Sequence, residues 1–458
     1  MSFPRYHSYK ESDVEWLGEV PAHWAVVPFK HVIQRIESGT SVNAVDTPAA
    51  EGERGILKTS CVYSGEFNAA ENKAILLEEY DRASCPLRAG TLIVSRMNTP
   101  DLVGAAGFVR AEVERLYLPD RLWQLHIKNC EPAFAHFWTT TAAYRSQVQM
   151  ACSGASSSMQ NLAQDQLRTF WFLNPPRREQ TAIVRFLNRE TQKIDALVEQ
   201  QQQRLIELLK EKRQAVISQA VTKGLDPNVP MKNSGVEWLG EMPEHWTLKR
   251  LKRVSPFITV GIVVNPSDFV ADEGLPFIYG GDISEGCIDT EYSRRISSHD
   301  SERNAKTRLA AGDLLTVRVG APGVTAVVPA LCEGGNCASV MLTRKGDYCS
   351  QWLCYAMNSQ TVRYQVELVQ YGAAQEQFNI SHAVNFFVPT PPRDEQSSIS
   401  AFLDAEVTKI DALISEGSAS TTLLQERRAA LISAAVTGKI DVRGLVGADA
   451  PLLDVVAA

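Results

Sequence analysis

Apolar residues recur at helical spacing along a long stretch in the middle of the chain. Because they repeat every three or four positions, they predict one apolar face on an extended α-helix. The double proline Pro175-Pro176 gives the stretch an abrupt start, and Gly224 is placed to end it. Thr191 can cap a new helix here, which would run about 30 residues, or roughly 45–50 Å. The apolar positions are Ile183, Phe186, Leu187, Ile194, Leu197, Val198, Leu205, Leu208, Leu209, Val216 and Ile217.

The same stretch occurs a second time near the C-terminus. Lys193–Asp195 returns as Lys409–Asp411, and both copies share a Pro-Pro-Arg start and an Ile-Ser-x-Ala-Val-Thr end. A long helix with a single apolar face needs a partner, and the second copy is the natural candidate. Packing of each helix on its own domain stays open as the alternative. The second copy has Gly417–Ser420 where the first has Gln200–Gln203, which leaves the continuity of the second helix open.

Another repeat opens each half of the chain. Ser12–Trp24 reads SDVEWLGEVPAHW, and Ser234–Trp246 reads SGVEWLGEMPEHW. The repeating unit is therefore a whole domain that begins with this string and closes with the long helix. We expect the tryptophans of both strings to pack in the core; they are Trp16, Trp24, Trp238 and Trp246.

The interiors of the two halves share a strand pattern although their sequences differ. A turn followed by a β-rich apolar run predicts one buried strand in each half, and a second strand is predicted before each double proline. The fold class is thus α/β (α+β): two globular domains, each followed by a long helix that pairs with the other as an antiparallel coiled coil. The predicted strands lie within Leu87–Arg96, Leu309–Arg318, Phe170–Leu173 and Phe386–Val388, and matched small-residue loops lie at Ser153–Ser157 and Tyr371–Gln375. The domain boundaries are 1–174, 175–224, 225–390 and 391–445, with a tail at 446–458.

Composition places the chain among soluble globular proteins. Of its 458 residues 44% are hydrophobic and 22% charged, and no run of apolar residues is long enough to cross a membrane. The N-terminus lacks the apolar core of a signal peptide, so a cytoplasmic location is expected. The formal charge of −7 excludes a generally basic nucleic-acid coat protein but not a local basic face. The nine scattered cysteines lack zinc-site spacing and are interpreted as reduced thiols.

Motifs for catalysis are missing from the sequence. Asn174-Pro175-Pro176 is similar to the start of an amino-methyltransferase motif, but Arg177 follows where that motif needs an aromatic residue to stack the flipped base. The sequence has no phosphate-binding loop of the nucleotide-hydrolase type and no evident nuclease carboxylate cluster. We therefore predict that the chain alone turns over no substrate.

Two similar domains held apart by a stiff helical spacer suit a long periodic ligand. DNA is such a ligand, because half-sites one turn apart lie roughly 34–36 Å from each other. Cationic side chains would bind phosphates, and Asn, Gln or Arg would recognise bases. For each cation a solvated surface role stays open as the alternative. The candidate DNA-binding residues are Lys58, Arg96, Asn98, Ser157, Gln160, Lys249, Arg250, Arg318, Gln375 and Gln377.

The doubled opening string, the Pro-Pro-x-x-Glu-Gln start and the repeated helix together resemble the specificity subunit of type I restriction–modification enzymes, over about 430 residues in the same order. The resemblance implies two target-recognition domains, each for one half of a gapped bipartite DNA site. It also implies that the helices set the gap and bind two methyltransferase (modification) subunits. Restriction/translocase subunits would complete the complex.

The resemblance further implies that cofactors belong to the partners. S-adenosylmethionine, ATP and Mg would bind the other subunits, and this chain would carry no cofactor and no metal. Two alternatives stay open: a helical scaffold that binds only proteins, and a specificity subunit of a methyltransferase-only system. The candidate partner-binding residues are Arg178, Glu179, Lys193, Glu199, Arg204, Glu207, Arg427 and Arg428.

Overall fold

The chain folds into two compact units. The computed structural model describes residues 3–14, 17–152, 159–370 and 377–445. Unit 1 is formed by Met1–Gln200 with Ser420–Ala458, and unit 2 by Gln201–Ala419. Each unit therefore contains one globular domain and a part of each of the two long helices.

Unit 1 is built from short strands and a few helices. Its described strands are β1 (Tyr9–Glu11), β2 (Glu19–Pro21), β3 (Ala25–Pro28), β4 (Ile33–Ser38), β5 (Ala44–Val45), β6 (Gly55–Leu57), β7 (Asn72–Ile75), β8 (Leu92–Ser95), β9 (Met97–Asn98), β10 (Ala106–Phe108), β11 (Leu116–Tyr117), β12 (Leu122–Ile127), β13 (Gln160–Asn161) and β14 (Trp171–Asn174). Its helices are α1 (Pro132–Thr139), α2 (Ala142–Ala151), α3 (Gln164–Thr169) and α4 (Arg177–Glu199). One four-stranded sheet is antiparallel in the order β10-β8-β12-β4, and a second has the order β11-β6-β7-β5, with β11 parallel to β6.

Unit 2 repeats this plan. Its strands are β15 (Met231–Asn233), β16 (Glu241–Pro243), β17 (Thr247–Arg250), β18 (Ile258–Val260), β19 (Leu275–Ile278), β20 (Ile283–Ser284), β21 (Cys287–Ile288), β22 (Arg294–Ile296), β23 (Leu314–Thr316), β24 (Thr325–Val327), β25 (Asn336–Cys337), β26 (Met341–Thr343) and β27 (Phe387–Thr390). Its helices are α5 (Glu207–Lys223), α6 (Leu251–Val254), α7 (Ser298–Arg303), α8 (Ser350–Asn358), α9 (Gln360–Gln370), α10 (Ile380–Ala383) and α11 (Arg393–Val436), whose last residues belong to unit 1. The sheet β18-β26-β23-β24 corresponds to β4-β12-β8-β10, and β22-β19-β25 to β7-β6-β11.

The strands predicted from the sequence are confirmed. The runs that end at Arg96 and Arg318 contain β8 and β23, whose residues are fully buried. The strands expected before the double prolines are β14 and β27, and each pairs antiparallel with a strand that follows the repeated opening string. Trp24 and Trp246 are buried as predicted, whereas Trp238 is half-buried with its ring 5.8 Å from that of Tyr364. Trp16 lies outside the described residues.

The first long helix begins earlier than predicted. It starts at Arg177, directly after Pro176, so the prediction that a new helix starts at Thr191 is wrong. Thr191 is buried inside the helix, where its hydroxyl donates to the carbonyl oxygen of Asn188 within the same turn. A seven-residue π-helical turn, Gln200–Ile206, separates α4 from α5.

The second long helix is continuous. α11 runs for 44 residues from Arg393 to Val436, which settles the question raised by Gly417–Ser420. A side chain at Gly417 would lie only 3.5 Å from Ile206 Cγ1 of the first helix, so this glycine sits against the π-helical turn. A glycine in a helix interior costs about 1 kcal/mol relative to alanine. The helix stays regular through Gly417 despite this cost, and the irregularity lies in the first helix instead.

Both long helices are followed by a glycine in the left-handed region of backbone conformation. Gly224 ends α5 as predicted, with φ of +79°, and Gly438 follows α11 with φ of +75°. A Cβ on Gly438 would approach Pro21 Cγ and Cδ to 2.5 Å, and one on Gly224 would approach Glu395 Oε1 to 3.2 Å. Both positions therefore favour glycine for its conformation, and at Gly438 a side chain would also overlap Pro21.

A glutamate at the start of each long helix joins the helix to the opening string of its domain. Glu179 accepts the indole N–H of Trp24 at 3.0 Å, and its other oxygen lies 2.7 Å from His23 Nε2. In unit 2 the corresponding glutamate, Glu395, accepts the Trp246 indole N–H at 3.0 Å and lies 2.8 Å from His245 Nε2. This contact explains why His-Trp and Glu-Gln occur together in both repeats.

The glutamine that follows each glutamate closes the same junction. Gln180 donates to the Pro175 carbonyl at 2.8 Å and accepts the backbone N–H of Glu131 at 2.7 Å. Gln396 donates to the Pro391 carbonyl at 3.0 Å and accepts the backbone N–H of Cys349 at 2.9 Å. Each double proline is thereby fixed to both its own helix and its own domain.

We predict that Glu179→Ala destabilises the chain by about 1–3 kcal/mol, because the buried Trp24 indole loses its acceptor. Glu395→Ala should cost less, since the Glu395 side chain is 28% exposed against 10% for Glu179. Denaturant unfolding followed by tryptophan fluorescence would measure both changes. Gln192→Ala, at an exposed position of the same helix, is the control; an equal effect of Gln192→Ala and Glu179→Ala would contradict the junction role.

Candidate nucleic-acid interface

Three predicted DNA-binding residues of the first domain come together in the structure. β9 follows the buried strand β8 directly and pairs antiparallel with β13, which places Asn98 opposite Gln160. The backbone of Arg96, the residue before β9, accepts the N–H of Leu162 just beyond β13. Two segments far apart in sequence thus form one small paired element. Ser157 lies outside the described residues.

The second domain has an equivalent element. Val319 forms an antiparallel bridge with Gln377, directly after Arg318. The Arg318 side chain donates through Nε to the Phe378 carbonyl at 3.1 Å, and the Arg318 carbonyl accepts the Phe378 N–H at 3.4 Å. Arg318 and Gln377 are therefore neighbours, as Arg96 and Gln160 are in unit 1. Gln375 lies outside the described residues.

The side chains of these elements differ in availability. Asn98 is buried, donates to Tyr63 Oη at 2.8 Å and accepts the N–H of Thr99 at 2.9 Å, so it holds the loop in shape. Gln377 is exposed and Gln160 half-buried. Arg318 is half-buried, and burial lowers the pKa of its guanidinium from its ordinary value. The Nε of Arg96 is buried and has no hydrogen-bond partner within the described residues.

The other three basic candidates lie elsewhere in their domains. Lys58 lies 3.3 Å from Asp46, whose pKa is lowered by hydrogen bonds from Lys73 and Lys58. Lys249 and Arg250 lie on β17, which pairs with β27, the strand before the second double proline. Arg250 donates to Asn385 at 3.0 Å and covers the ring of Phe387, so its contacts are with the junction rather than with the Arg318 element.

Most of the predicted partner-binding residues lie on exposed helix positions. Glu179 is the first exception: it is buried in the junction, which removes it from any surface that faces a partner. Arg428 is the second: it is partly buried and ion-paired inside unit 1, with Nε 2.8 Å from Asp195. Lys193 is exposed and pairs with Glu190 at 3.0 Å. The remaining exposed members are Arg178, Glu199, Arg204, Glu207 and Arg427.

Two arginines join the helices to the domains: Arg213 was not among the predicted site residues, and Arg428 was predicted to bind a partner. Arg213 contacts both Asp411 and Glu285, and Arg428 contacts both Asp195 and Glu66. The repeated Lys-Ile-Asp could have indicated these contacts, because its aspartates, Asp195 and Asp411, are the ones that pair with the two arginines. Leu197, Leu205 and Leu208 were predicted on the packed apolar face of the first helix but are exposed, so that part of the prediction is wrong. Leu413 and Leu423, which match Leu197 and Leu208 in the second helix, are exposed as well.

The described part of the chain was examined for metal-ligating clusters, membrane-spanning helices and reactive thiols. It contains no cluster of three or more potential metal-ligating side chains. No helix among the described ranges is long and apolar enough to span a bilayer. All nine cysteines are free, and only Cys287 is exposed. Burial raises the pKa of the Cys61 and Cys354 thiols to about 12, so these thiols stay protonated near neutral pH.

Comparisons with known proteins agree with this architecture. No family model matches the chain. Its sequence is 21% identical over 452 residues to the putative type I restriction enzyme MjaX specificity subunit of Methanocaldococcus jannaschii, a match that covers 97% of this chain and 99% of the relative. It is 24% identical over 311 residues to the EcoBI specificity subunit of Escherichia coli, covering 65% of this chain and 64% of the relative.

The fold is similar to a chain from a solved type I R-M system, with a TM-score of 0.67, 17% identity, and coverage of 91% of this chain and 98% of that chain. The match spans both units, as does the similarity to the MjaX subunit. The resemblance carried by the doubled motifs is thereby confirmed: over nearly its whole length the chain is similar to a specificity subunit of a type I restriction enzyme.

We predict that Cys287 reacts first with N-ethylmaleimide under native conditions near pH 8. The thiolate is the reactive form, and a pKa of about 12 leaves Cys61 and Cys354 almost entirely as buried thiols. Peptide mass spectrometry after short labelling times would give the order of modification. The denatured chain, in which all nine cysteines should react, is the control; modification of Cys61 as fast as Cys287 in the native chain would contradict the burial.

Proposed function

We propose that the chain binds DNA sequence-specifically through its two globular domains, each of which recognises one half of a gapped bipartite site. The domains are target-recognition domains, and the paired long helices set the gap between the half-sites. The observation that carries this proposal is the equivalent pair of elements formed by Arg96, Asn98 and Gln160 in one domain and by Arg318, Val319 and Gln377 in the other. Similar frames with different side chains suit two different half-sites.

Divergence between the two elements supports two distinct half-sites. The arginine is shared, as expected for a phosphate contact that positions the domain without encoding sequence. The residue two positions after the arginine is Asn98 in the first domain and Gly320 in the second, so the loops that follow the arginines differ. A homodimer would present the same loop twice, whereas a duplicated chain can present two.

The helical spacer is proposed to be an antiparallel coiled coil. In unit 2, Ile206 packs on Gly417 and Arg213 pairs with Asp411, so residue numbers rise on one helix as they fall on the other. In unit 1, Asp195 pairs with Arg428, which fits the same progression.

The exposed surface of the helices is proposed to bind two methyltransferase subunits. Repetition supports the number two, because Leu197 and Leu423 of unit 1 match Leu413 and Leu208 of unit 2 in the repeat, and all four are exposed. Restriction/translocase subunits would join the same complex in the cytoplasm. S-adenosylmethionine, ATP and Mg would bind those partner subunits. This chain would select the adenines to be methylated and would carry out no chemistry itself.

We predict that Arg318→Ala weakens DNA binding about tenfold for all sequences alike, because it removes a phosphate contact rather than a base contact. The slope of log K against the logarithm of the salt concentration should become shallower by about one. Fluorescence anisotropy with the assembled methyltransferase complex, over a range of salt concentrations, would measure both. Lys223→Ala is the charge-matched control. Unchanged affinity and slope for Arg318→Ala would remove this residue from the interface.

We predict that four residues inserted after Gln202 change the gap between half-sites and leave both half-site sequences unchanged. Four residues add about one helical turn, or roughly 6 Å, within the π-helical segment Gln200–Ile206. Methylation mapping of the variant complex would report the gap and both half-sites together. A changed half-site sequence with an unchanged gap would contradict the role of the helices as the spacer.

A further inference from the structure

One arginine in unit 2 joins three separate parts of the structure. The guanidinium of Arg213, on α5, donates through Nε to Asp411 of α11 at 2.9 Å. Through Nη1 it donates to Glu285 at 2.8 Å, and Glu285 lies in the turn between β20 and β21 of the globular domain. The Arg213 side chain is only 18% exposed. A single side chain thus connects both long helices and the recognition domain.

Unit 1 contains the repeat equivalent of this contact with the helices exchanged. Arg428, on α11, donates through Nε to Asp195 of α4 at 2.8 Å. Its Nη2 lies 3.7 Å from Glu66, which follows the 3₁₀ turn Thr59–Val62 in the globular domain. Both arginines therefore use Nε for the aspartate of Lys-Ile-Asp on the opposite helix and a terminal guanidinium nitrogen for a glutamate of the domain. We call these two three-way contacts the arginine ties.

The chemistry of arginine suits this position. Its planar guanidinium presents donors along two edges in a fixed geometry, so it can hold two carboxylates in two directions at once. A lysine would supply one compact charge and could not fix both directions. In unit 2 the domain side of the tie is reinforced, because Glu285 also pairs with Arg363 of α9. The arginine tie of unit 2 therefore fixes both the angle and the distance between the domain and the helices of that unit.

We infer that Arg213 and Arg428 are positioning residues that fix the orientation of each recognition domain on the helices and thereby determine how strictly the gap between half-sites is kept. The inference rests on the proposed DNA-binding function. One additional base pair moves a half-site by roughly 3.4 Å and rotates it by roughly 35° about the DNA axis. A domain free to tilt on the helices would accept such a site, and a domain held by an arginine tie rejects it.

The two arginine ties differ in strength. The contact to the domain is 2.8 Å in unit 2 and 3.7 Å in unit 1, and the arginine is 18% exposed in unit 2 against 28% in unit 1. Exposed ion pairs are weakened by solvent, so the tie of unit 2 should hold its domain more firmly. Loss of Arg213 is therefore expected to relax the gap more than loss of Arg428.

The test is a map of N6-methyladenine in cells that express the cognate methyltransferase together with the wild-type chain or a variant. The measured quantity is the ratio of methylation at the wild-type gap to methylation at gaps one base pair shorter or longer. Arg213→Gln should lower this ratio about tenfold, and Arg428→Gln by a smaller factor, with both half-site sequences unchanged. Lys210→Gln, at an exposed position on the same helix as Arg213, should leave the ratio at its wild-type value.

A second variant separates positioning from stability. Glu285→Gln leaves the Arg213–Asp411 pair between the helices intact and weakens only the contact to the domain, so it should also relax the gap. Variants that lower total methylation but keep the wild-type gap ratio would overturn the inference, because the arginine ties would then only stabilise the fold. That outcome leaves the proposed function standing. A wild-type chain that yields no gapped motif would instead contradict the proposed function.

Discussion

The rest of this architecture depends on one glutamate at the start of each long helix. This glutamate accepts a hydrogen bond from a tryptophan indole N–H and lies within hydrogen-bond distance of a histidine ring nitrogen. Glu179 takes Trp24 and His23, and Glu395 takes Trp246 and His245. A buried carboxylate is costly unless donors satisfy it. The opening string of each domain supplies those donors, so the helix cannot form its junction without the domain that precedes it.

This junction makes each domain and the helix that follows it one mechanical element. The double proline starts the helix abruptly, and the adjacent glutamine fixes the proline carbonyl and the domain backbone together. Further along the helices, the arginine ties hold the same domain at a second place. Two attachment points separated along a helix restrict tilting far more than one, which is what a protein that keeps a constant separation between two recognition surfaces requires.

Much of the fold could be predicted because duplication supplies an internal comparison. The strands β8 and β23 and the glycine at position 224 follow from local sequence with defined physical preferences. The prediction of a helix start at Thr191 was wrong because threonine has two roles. Its hydroxyl can cap the start of a helix, but inside a helix it can also donate to a carbonyl of the preceding turn. Gly417 left continuity open, but a glycine costs a helix only about 1 kcal/mol, and α11 continues through it for 44 residues in all. Glu179 and Arg428 were assigned to a partner surface because a charge at a helical position gives no sign of an internal counter-charge far along the chain.

This chain is proposed to determine where a methyltransferase acts on DNA. The most direct measurement is a genome-wide map of N6-methyladenine by long-read sequencing, in cells that carry the cognate methyltransferase with and without this chain. The account predicts a gapped bipartite motif that is methylated only when the chain is present, with a single gap length. The absence of any chain-dependent motif, with both proteins expressed and associated, would contradict it and would favour a scaffold that binds only proteins.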